Sequence, residues 1–205
     1  SEYLVELSSE EGGADKAKQL QEFVDELTSL MSVQGLRDAG IDRDSVFAIY
    51  GDGLLPVFRV ELSDRDKFEA AVSRLESKAT QKFQVGTAGG ESYRYYDIEE
   101  ARFVVATPGD SAVITIVPTT YSDDRVARAL GIKKPQNNVV KGLGEIRKAY
   151  DFTDHFVGFV DVEKLAASFL GDPSGLNKEL LLLVEHDPEE LTAECRAEFA
   201  ELASV

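Results

Sequence analysis

The sequence is poor in the residue types from which metal and redox sites are built. Its 205 residues contain one cysteine, one methionine, two histidines and no tryptophan. The single cysteine, Cys195, excludes an internal disulfide and any zinc site made of cysteines. His155 and His186 form no His-x-x-x-His pair, and no aspartate-rich calcium loop is present. The sequence therefore indicates no metal site and no cofactor.

Basic residues and long apolar runs are also scarce. The chain has 22 Lys and Arg against 38 Asp and Glu, which gives a net charge of −16. A nucleic-acid partner is excluded because such binding needs a basic surface to neutralise phosphates. No run approaches about 18 apolar residues, so no transmembrane segment is predicted. A chain of this length can bury a core without metal or disulfide support.

The patterns that mark nucleophilic catalysis are missing. No Gly-x-Ser-x-Gly elbow occurs, and in the block Gly51-Asp52-Gly53-Leu54 a glycine stands where a hydrolase would need its serine. Asp154 and His155 are adjacent, but neighbouring strand residues point to opposite faces. Gly86, Gly89 and Gly90 are not followed by a helix, so they make no phosphate cradle. Catalysis by a carboxylate pair stays open, because 38 acids supply many pairs.

Two closely spaced aspartate pairs have a structural and a functional interpretation. Asp42 with Asp44, and Asp64 with Asp66, stand where a strand or helix is predicted to begin. Carboxylates at such positions accept hydrogen bonds from free backbone N–H groups or are solvated. The alternative is a cation site. Cys195 lies on the apolar stripe of the last predicted helix, so it is interpreted as a buried small side chain rather than a reactive thiol.

Hydrophobic periodicity predicts an α+β protein with a single domain over 1–205. Strands are predicted near 45–50, 54–62, 82–85, 91–98, 101–106, 111–117 and 155–162. Helices are predicted near 14–33, 35–40, 63–79, 122–131, 139–150, 163–170, 173–185 and 188–203. Short hairpin links favour one antiparallel sheet of about six to seven strands, with helices packed mainly on one face. The predicted core includes Phe23, Phe68, Leu75, Val104, Ile114, Phe159 and Phe199.

The local feature with the clearest functional interpretation is Tyr93-Arg94-Tyr95-Tyr96. Strand alternation places Tyr93 and Tyr95 on one face and Arg94 with Tyr96 on the other. Aromatic residues are ordinary in strands, which favours packing. The alternative is a binding surface, because Tyr and Arg are enriched where proteins bind partners. These four residues are the candidate binding site, and no catalytic residue is assigned.

Two segments share the order strand, acidic residue, amphipathic helix. Residues 58–62 lead into the helix of Phe68 and Leu75, and residues 159–162 lead into that of Leu165 and Phe169. The interpretations are an internal repeat, over 45–130 and 153–205, and a chance recurrence. With no initiator Met and no stop signal after the last helix, we expect an export signal before Ser1 and further strands after Val205. Such a fragment would leave a sheet edge or an apolar helix face of its second unit unpaired. We expect either the C-terminal helices to cover it, or a protein partner or self-association to do so.

The segment Tyr50-Gly51-Asp52-Gly53-Leu54-Leu55-Pro56-Val57-Phe58-Arg59-Val60-Glu61-Leu62, followed by Phe68-Glu69-Ala70, resembles a known family. It is similar to the uncharacterised bacterial cell-envelope proteins of the DUF3352 type over residues 40–130. The resemblance implies an exported, periplasmic or lipid-anchored protein and transfers no active site. The sequence thus favours a non-enzymatic binding or scaffolding domain. The alternative is a hydrolase that uses a carboxylate pair.

Overall fold

The structure is a computed structural model and describes most of the chain up to residue 133. The described residues are 13–79, 82–133, 144, 145, 147–149, 158, 160, 161, 165–167, 180, 181 and 192–203. Their helices are α1 (Gly13–Leu30), α2 (Val33–Asp38), α3 (Arg65–Lys78), α4 (Asp123–Ala129) and α5 (Ala193–Ala203). Their strands are β1 (Phe47–Asp52), β2 (Leu55–Glu61), β3 (Gln84–Ala88), β4 (Glu91–Ile98), β5 (Ala101–Ala106) and β6 (Ser111–Pro118).

The strands form one six-stranded sheet in the order β1-β2-β6-β5-β4-β3, and every neighbouring pair is antiparallel. Turn chemistry explains the hairpins. Gly53 begins the two-residue β1–β2 loop at a φ of 66°, and Gly109 takes a φ of 61° between β5 and β6. Glycine has no Cβ and adopts these positive values without strain. The α+β class and the antiparallel sheet are therefore confirmed.

The helices α3 and α4 lie on opposite faces of the sheet. The α3 face carries a buried cluster of Val60, Leu62, Phe68, Val72, Val105 and Ala112. The α4 face carries Leu55, Val57, Ala88, Tyr93, Val104, Ala106, Val113, Val117, Tyr121, Val126, Ala127, Ala129 and Leu130. Side chains alternate along each strand, so β5 contributes to both clusters, with Val104 on one face and Val105 on the other. The strands β2, β5 and β6 are therefore buried on both faces.

The start of α3 differs in one residue from the prediction. Ser63 is predicted to cap the helix, but Asp64 is its N-cap and accepts a hydrogen bond from Lys67 N at 3.1 Å. The Ser63 hydroxyl instead donates to the Gly40 carbonyl oxygen at 3.0 Å. The carboxylate of Asp64 is thus accounted for by capping, and Asp66 follows it in the first turn.

Several predicted packing positions are described and can be compared. Phe68 and Val104 are buried, as predicted, whereas Leu75 and Ile114 are half-buried. The side chains of Phe23 and Phe199, and Phe159 altogether, lie outside the described residues. The helix predicted over 14–33 ends at Leu30, and its apolar face is partly exposed.

The predicted strand over 155–162 is wrong at the positions that can be compared. Residues 158, 160 and 161 of that segment are described and belong to no strand. Val160 is exposed rather than packed. A strand is stabilised by its neighbours, and an apolar run alone does not supply one. Most of the predicted second unit over 153–205 lies outside the described residues, including Asp154, His155 and His186.

Among the residues that the structure describes, no helix is both long and apolar enough to cross a membrane.

Candidate functional site

The four candidate binding residues lie in β4, and their alternation is as predicted. Tyr93 and Tyr95 face α4, while Arg94 and Tyr96 face α3. Tyr93 is almost fully buried, and its ring contacts the ring of Tyr95 with the centroids 5.6 Å apart. Tyr96 lies among aromatic rings, 5.8 Å from Phe83 and 5.5 Å from Phe103 between centroids. Three of the four residues are thus packed by their neighbours.

Arg94 is held by the helix above it. Its guanidinium pairs with Glu69 at 2.9 Å and Glu76 at 3.5 Å and donates to the Ser73 hydroxyl at 3.0 Å. These three residues lie on one stripe of α3, spaced by four and three positions. Glu69 also accepts a hydrogen bond of 2.7 Å from the buried Thr107 hydroxyl. The charge of Arg94 therefore joins the sheet to α3.

Tyr95 belongs to a second charged group on the α4 face. The Arg102 guanidinium lies 4.1 Å from the centre of the Tyr95 ring and makes two hydrogen bonds to Asp97, of 2.7 and 3.1 Å. Those hydrogen bonds lower the pKa of Asp97 and raise the pKa of Arg102. The Tyr95 hydroxyl donates to Gln84 at 3.1 Å. A binding role for Tyr93–Tyr96 stays a prediction, but each side chain already has a protein partner.

A second candidate site is β1, which forms one edge of the sheet. Glu61 N–H donates to the Val46 carbonyl at 2.8 Å, so the even-numbered residues of β1 turn their backbone groups toward β2. The N–H and C=O groups of Phe47, Ile49 and Gly51 consequently point away from the sheet. In the described part of the chain no further strand pairs with this edge.

The side chains along β1 are apolar and exposed. Ile49 is 74% exposed, Val46 68% and Phe47 55%. The segment from Val46 to Gly51 carries no charge, although 29% of the chain is charged. Natural edge strands are usually protected by a charged residue, a proline or a bulge, because an open edge templates pairing with another chain. None of these devices stands within β1 before Asp52.

The exposed side chains of Phe47 and Ile49 continue an apolar surface on the α3 face. Ile49 pairs with Phe58 of β2, and Phe58 pairs with Ile114 of β6. Phe58 and Ile114 are half-buried and pack beside the α3 cluster. An added strand would therefore extend both the hydrogen-bond ladder and this apolar surface. We call the edge formed by Val46–Gly51 the β1 edge.

The sequence contained part of the signal for the β1 edge. Residues 45–50 are predicted as an apolar strand, but the open edge that the sequence predicts belongs to the second unit over 153–205. The position of the strand 45–50 in the sheet was not predicted. This strand is outermost because β6 returns beside β2. This order depends on pairing across more than fifty residues, which no local pattern specifies.

A small cleft opens beside the β1–β2 hairpin. It has a volume of about 190 Å³ and is lined by Asp52, Leu55, Tyr121, Arg125, Arg128 and Ala129. The Arg125 guanidinium lies 5.4 Å from the centre of the Tyr121 ring. One carboxylate stands here with two guanidinium groups, which is not the paired-acid geometry of a hydrolase. The block Gly51–Leu54 thus forms a hairpin next to this cleft rather than a nucleophile site.

The remaining candidates have ordinary structural surroundings. Asp42 and Asp44 are exposed in the turn before β1. Cys195 is half-buried near the start of α5, where its N–H donates to the Thr192 hydroxyl at 3.2 Å. The predicted start of that helix at Asp187 and Pro188 lies outside the described residues. Within the described ranges, no three His, Cys, Asp or Glu side chains cluster as metal ligands.

Among the residues that the structure describes, the carboxyl groups with shifted pKa values all shift downward. Lys78 and Arg74 lower the pKa of Glu26, Arg102 that of Asp97, and Lys133 that of Asp124. In each case the largest cause is a hydrogen bond from the cation to the carboxylate. A general acid needs the opposite shift, toward neutral pH.

Comparison with known proteins yields no relative from which a function could be transferred. No family model matches the chain, and neither the curated proteins nor the solved structures contain a significant match.

Proposed function

We propose that this chain is a non-enzymatic binding or scaffolding domain that accepts an extended segment of a protein partner on the β1 edge. The observation that carries the proposal is the combination of outward backbone groups and uncharged, exposed side chains from Val46 to Gly51. Strand addition uses both features, because the backbone supplies hydrogen bonds and alternate side chains supply selectivity.

The surroundings of the β1 edge support a binding role over the carboxylate-pair hydrolase. β1 pairs with β2, and β2, β5 and β6 are buried on both faces, so the edge belongs to a packed, preformed sheet. A preformed template lowers the entropy that a partner strand loses on binding. The cleft at Asp52 holds one acid beside two arginines, and the shifted acids have lowered pKa values.

We further propose that the domain acts in the cell envelope, as the resemblance to DUF3352-type proteins implies. Expression of the full gene with a compartment-specific reporter fusion tests this part. Activity of a periplasmic reporter is the expected result. Retention of the fusion in the cytoplasm would contradict the envelope location and leave the binding role untouched.

A labelled seven-residue peptide that alternates Thr and Val tests strand addition directly. Fluorescence anisotropy at low protein concentration should show binding in the micromolar to millimolar range. The matched control peptide carries an N-methyl group on every residue, which removes the backbone donors from both edges of the peptide and leaves the side chains. At least tenfold weaker binding of this control is expected. Equal binding of both peptides would show that no ladder forms.

The same binding measurement compares two protein variants, one at each edge of the sheet. Ile49→Lys places a charge on the β1 edge, while Val85→Lys places the same charge on β3 at the opposite edge. Binding of the Thr–Val peptide should fall at least tenfold in the first variant and stay within about twofold in the second. The reverse result would assign binding to β3.

A further inference from the structure

We infer that the partner of the β1 edge is a second copy of this chain, paired antiparallel with itself about a two-fold axis at Ile49. The inference rests on the proposed function, and it names the partner. When a two-fold axis at Ile49 relates two copies, the backbone groups and side chains of their β1 strands are complementary. Such a contact is isologous and closes at two copies.

The backbone groups match in this register. Ile49 lies opposite Ile49 of the second copy, and Phe47 lies opposite Gly51 of the second copy in both directions. These are the three residues of β1 whose backbone groups point outward. Each hydrogen-bonded pair in an antiparallel ladder exchanges two bonds, so the contact forms about six hydrogen bonds. If the register of the two strands shifts by two residues in either direction, one of these three residues no longer lies opposite a residue of the second β1.

The side chains match in the same register because large residues lie opposite small ones. The Phe47 ring covers Gly51 of the second copy on the α3 face. On the α4 face, Tyr50 lies opposite Ala48 of the second copy. The two Ile49 side chains meet at the axis and join the apolar surfaces that begin at Phe58 in each copy. Cross-strand pairs of this kind stabilise a sheet, and an aromatic ring beside glycine protects its backbone.

The charges also permit self-pairing. Asp52 lies opposite Val46 of the second copy, so no acid directly faces another acid across the contact. The net charge of −16 on each copy nevertheless produces a general repulsion. Salt screens this repulsion and leaves the apolar contact intact. Association should therefore strengthen as the salt concentration rises.

The other edge of the sheet is a poorer partner for itself. β3 has five residues, and two of them, Gln84 and Thr87, are polar. Val85 is the one large apolar side chain that β3 exposes. The space into which a Cβ of Gly86 would point is already occupied by the ring of Tyr93.

Analytical ultracentrifugation of the chain over a wide concentration range tests the inference. A single strand contact is smaller than a standard stable interface, so we expect a weak dimer with a dissociation constant of about 10–100 µM. Ile49→Lys should weaken it at least tenfold, because two like charges then meet at the axis. Val85→Lys changes the net charge equally and should leave the constant within about twofold. Species larger than a dimer would overturn the two-fold contact.

Oxidative cross-linking tests the register. In a Cys195→Ser background, Ile49→Cys places two thiols in directly opposed positions, at about 5.5 Å between Cα atoms. Phe47→Cys places them about 13 Å apart along the strands, too far for a disulfide. The first variant should cross-link with a loss of monomer on a non-reducing gel, and the second should not. Preferential cross-linking at residue 47 would overturn the register.

The results separate the inference from the proposed function. A chain that stays monomeric at about 1 mM, yet binds the Thr–Val peptide, overturns self-pairing and supports strand addition. A chain that is monomeric and fails to bind the peptide overturns both. A dimer that survives Ile49→Lys unchanged forms through another surface and overturns the inference.

Discussion

The ring of Tyr93 lies directly on Gly86, its partner residue in the β3–β4 ladder. A Cβ built on Gly86 would stand 2.6 Å from the Tyr93 hydroxyl oxygen and 2.9 Å from a ring carbon. Tyr93 is itself buried and closes the α4 face toward β3. Glycine at position 86 is thus required by the space that the tyrosine occupies, not by an unusual φ.

Gly86→Ala should destabilise the fold by about 1–3 kcal/mol, because the added methyl group forces the buried ring to move. The measurement is urea unfolding at equilibrium. Gly144→Ala is the matched control, since an added Cβ there meets nothing within 4 Å. Because Gly144 has helical backbone, its replacement should be neutral or should stabilise the fold by up to about 1 kcal/mol. Equal effects of the two changes would show that Tyr93 is not fixed in this position.

Arg94→Met should lower the free energy of unfolding by about 1–3 kcal/mol, because two glutamates and a serine of α3 lose their common donor. Met preserves much of the apolar length of the side chain. Lys18→Met removes an exposed ion pair with Glu22 and should cost at most about 0.5 kcal/mol. Equilibrium unfolding curves of both variants measure these changes. If Arg94→Met lowered the free energy of unfolding as little as Lys18→Met, Arg94 would not join α3 to the sheet.

Stability should fall in acid partly through Asp97. Because the pKa of Asp97 is lowered in the folded state by Arg102, its contribution is present above the unfolded pKa and is lost as the pH falls through the folded pKa. Asp97 is partly exposed, so the contribution is at most about 1 kcal/mol. Asp97→Asn should reduce the loss of stability between pH 5 and pH 2, estimated from the usual pKa of about 3.9. A wild-type slope in the variant would show that Arg102 does not act on this carboxyl group.

Local chemistry explains which parts of the fold were predictable. The strands of the meander follow from alternation, and the loops at Gly53 and Gly109 follow from the positive φ that glycine permits. The α3 helix follows from the spacing of Phe68 and Val72. The cap of that helix was misplaced by one residue, because Ser63 and Asp64 are both good capping residues and distant Gly40 decides between them.

The partners of the candidate residues could not be predicted from the same patterns. Alternation assigns Arg94 to a face, but its ion pairs with Glu69 and Glu76 depend on where α3 crosses the sheet. The β1 edge likewise depends on the return of β6 beside β2. A pattern of local residues carries no information on such long-range choices. The predicted strand over 155–162 shows the same limit, because an apolar run becomes a strand only where a neighbour pairs with it.

Two residues of α3, Phe68 and Leu75, are both assigned to the core by the sequence. Phe68 is buried against the sheet, whereas Leu75 is half-buried near the end of the helix. Phe68→Ala should cost about 3–5 kcal/mol, because it removes a large buried ring and leaves a cavity among Val60, Val72 and Val105. Leu75→Ala should cost about 1–2 kcal/mol, since less area leaves contact with protein and alanine favours the helix.

Equilibrium unfolding of both variants, with circular dichroism of the folded state as a control for helix content, tests this difference. A loss below about 1 kcal/mol for Phe68→Ala would place the buried face of α3 elsewhere. A larger loss for Leu75 than for Phe68 would mean that the C-terminal half of α3, not its N-terminal half, makes the main contact with the sheet. Arg94 of β4 pairs with Glu69, which follows Phe68, and with Glu76, which follows Leu75, so α3 crosses β4 between these two positions.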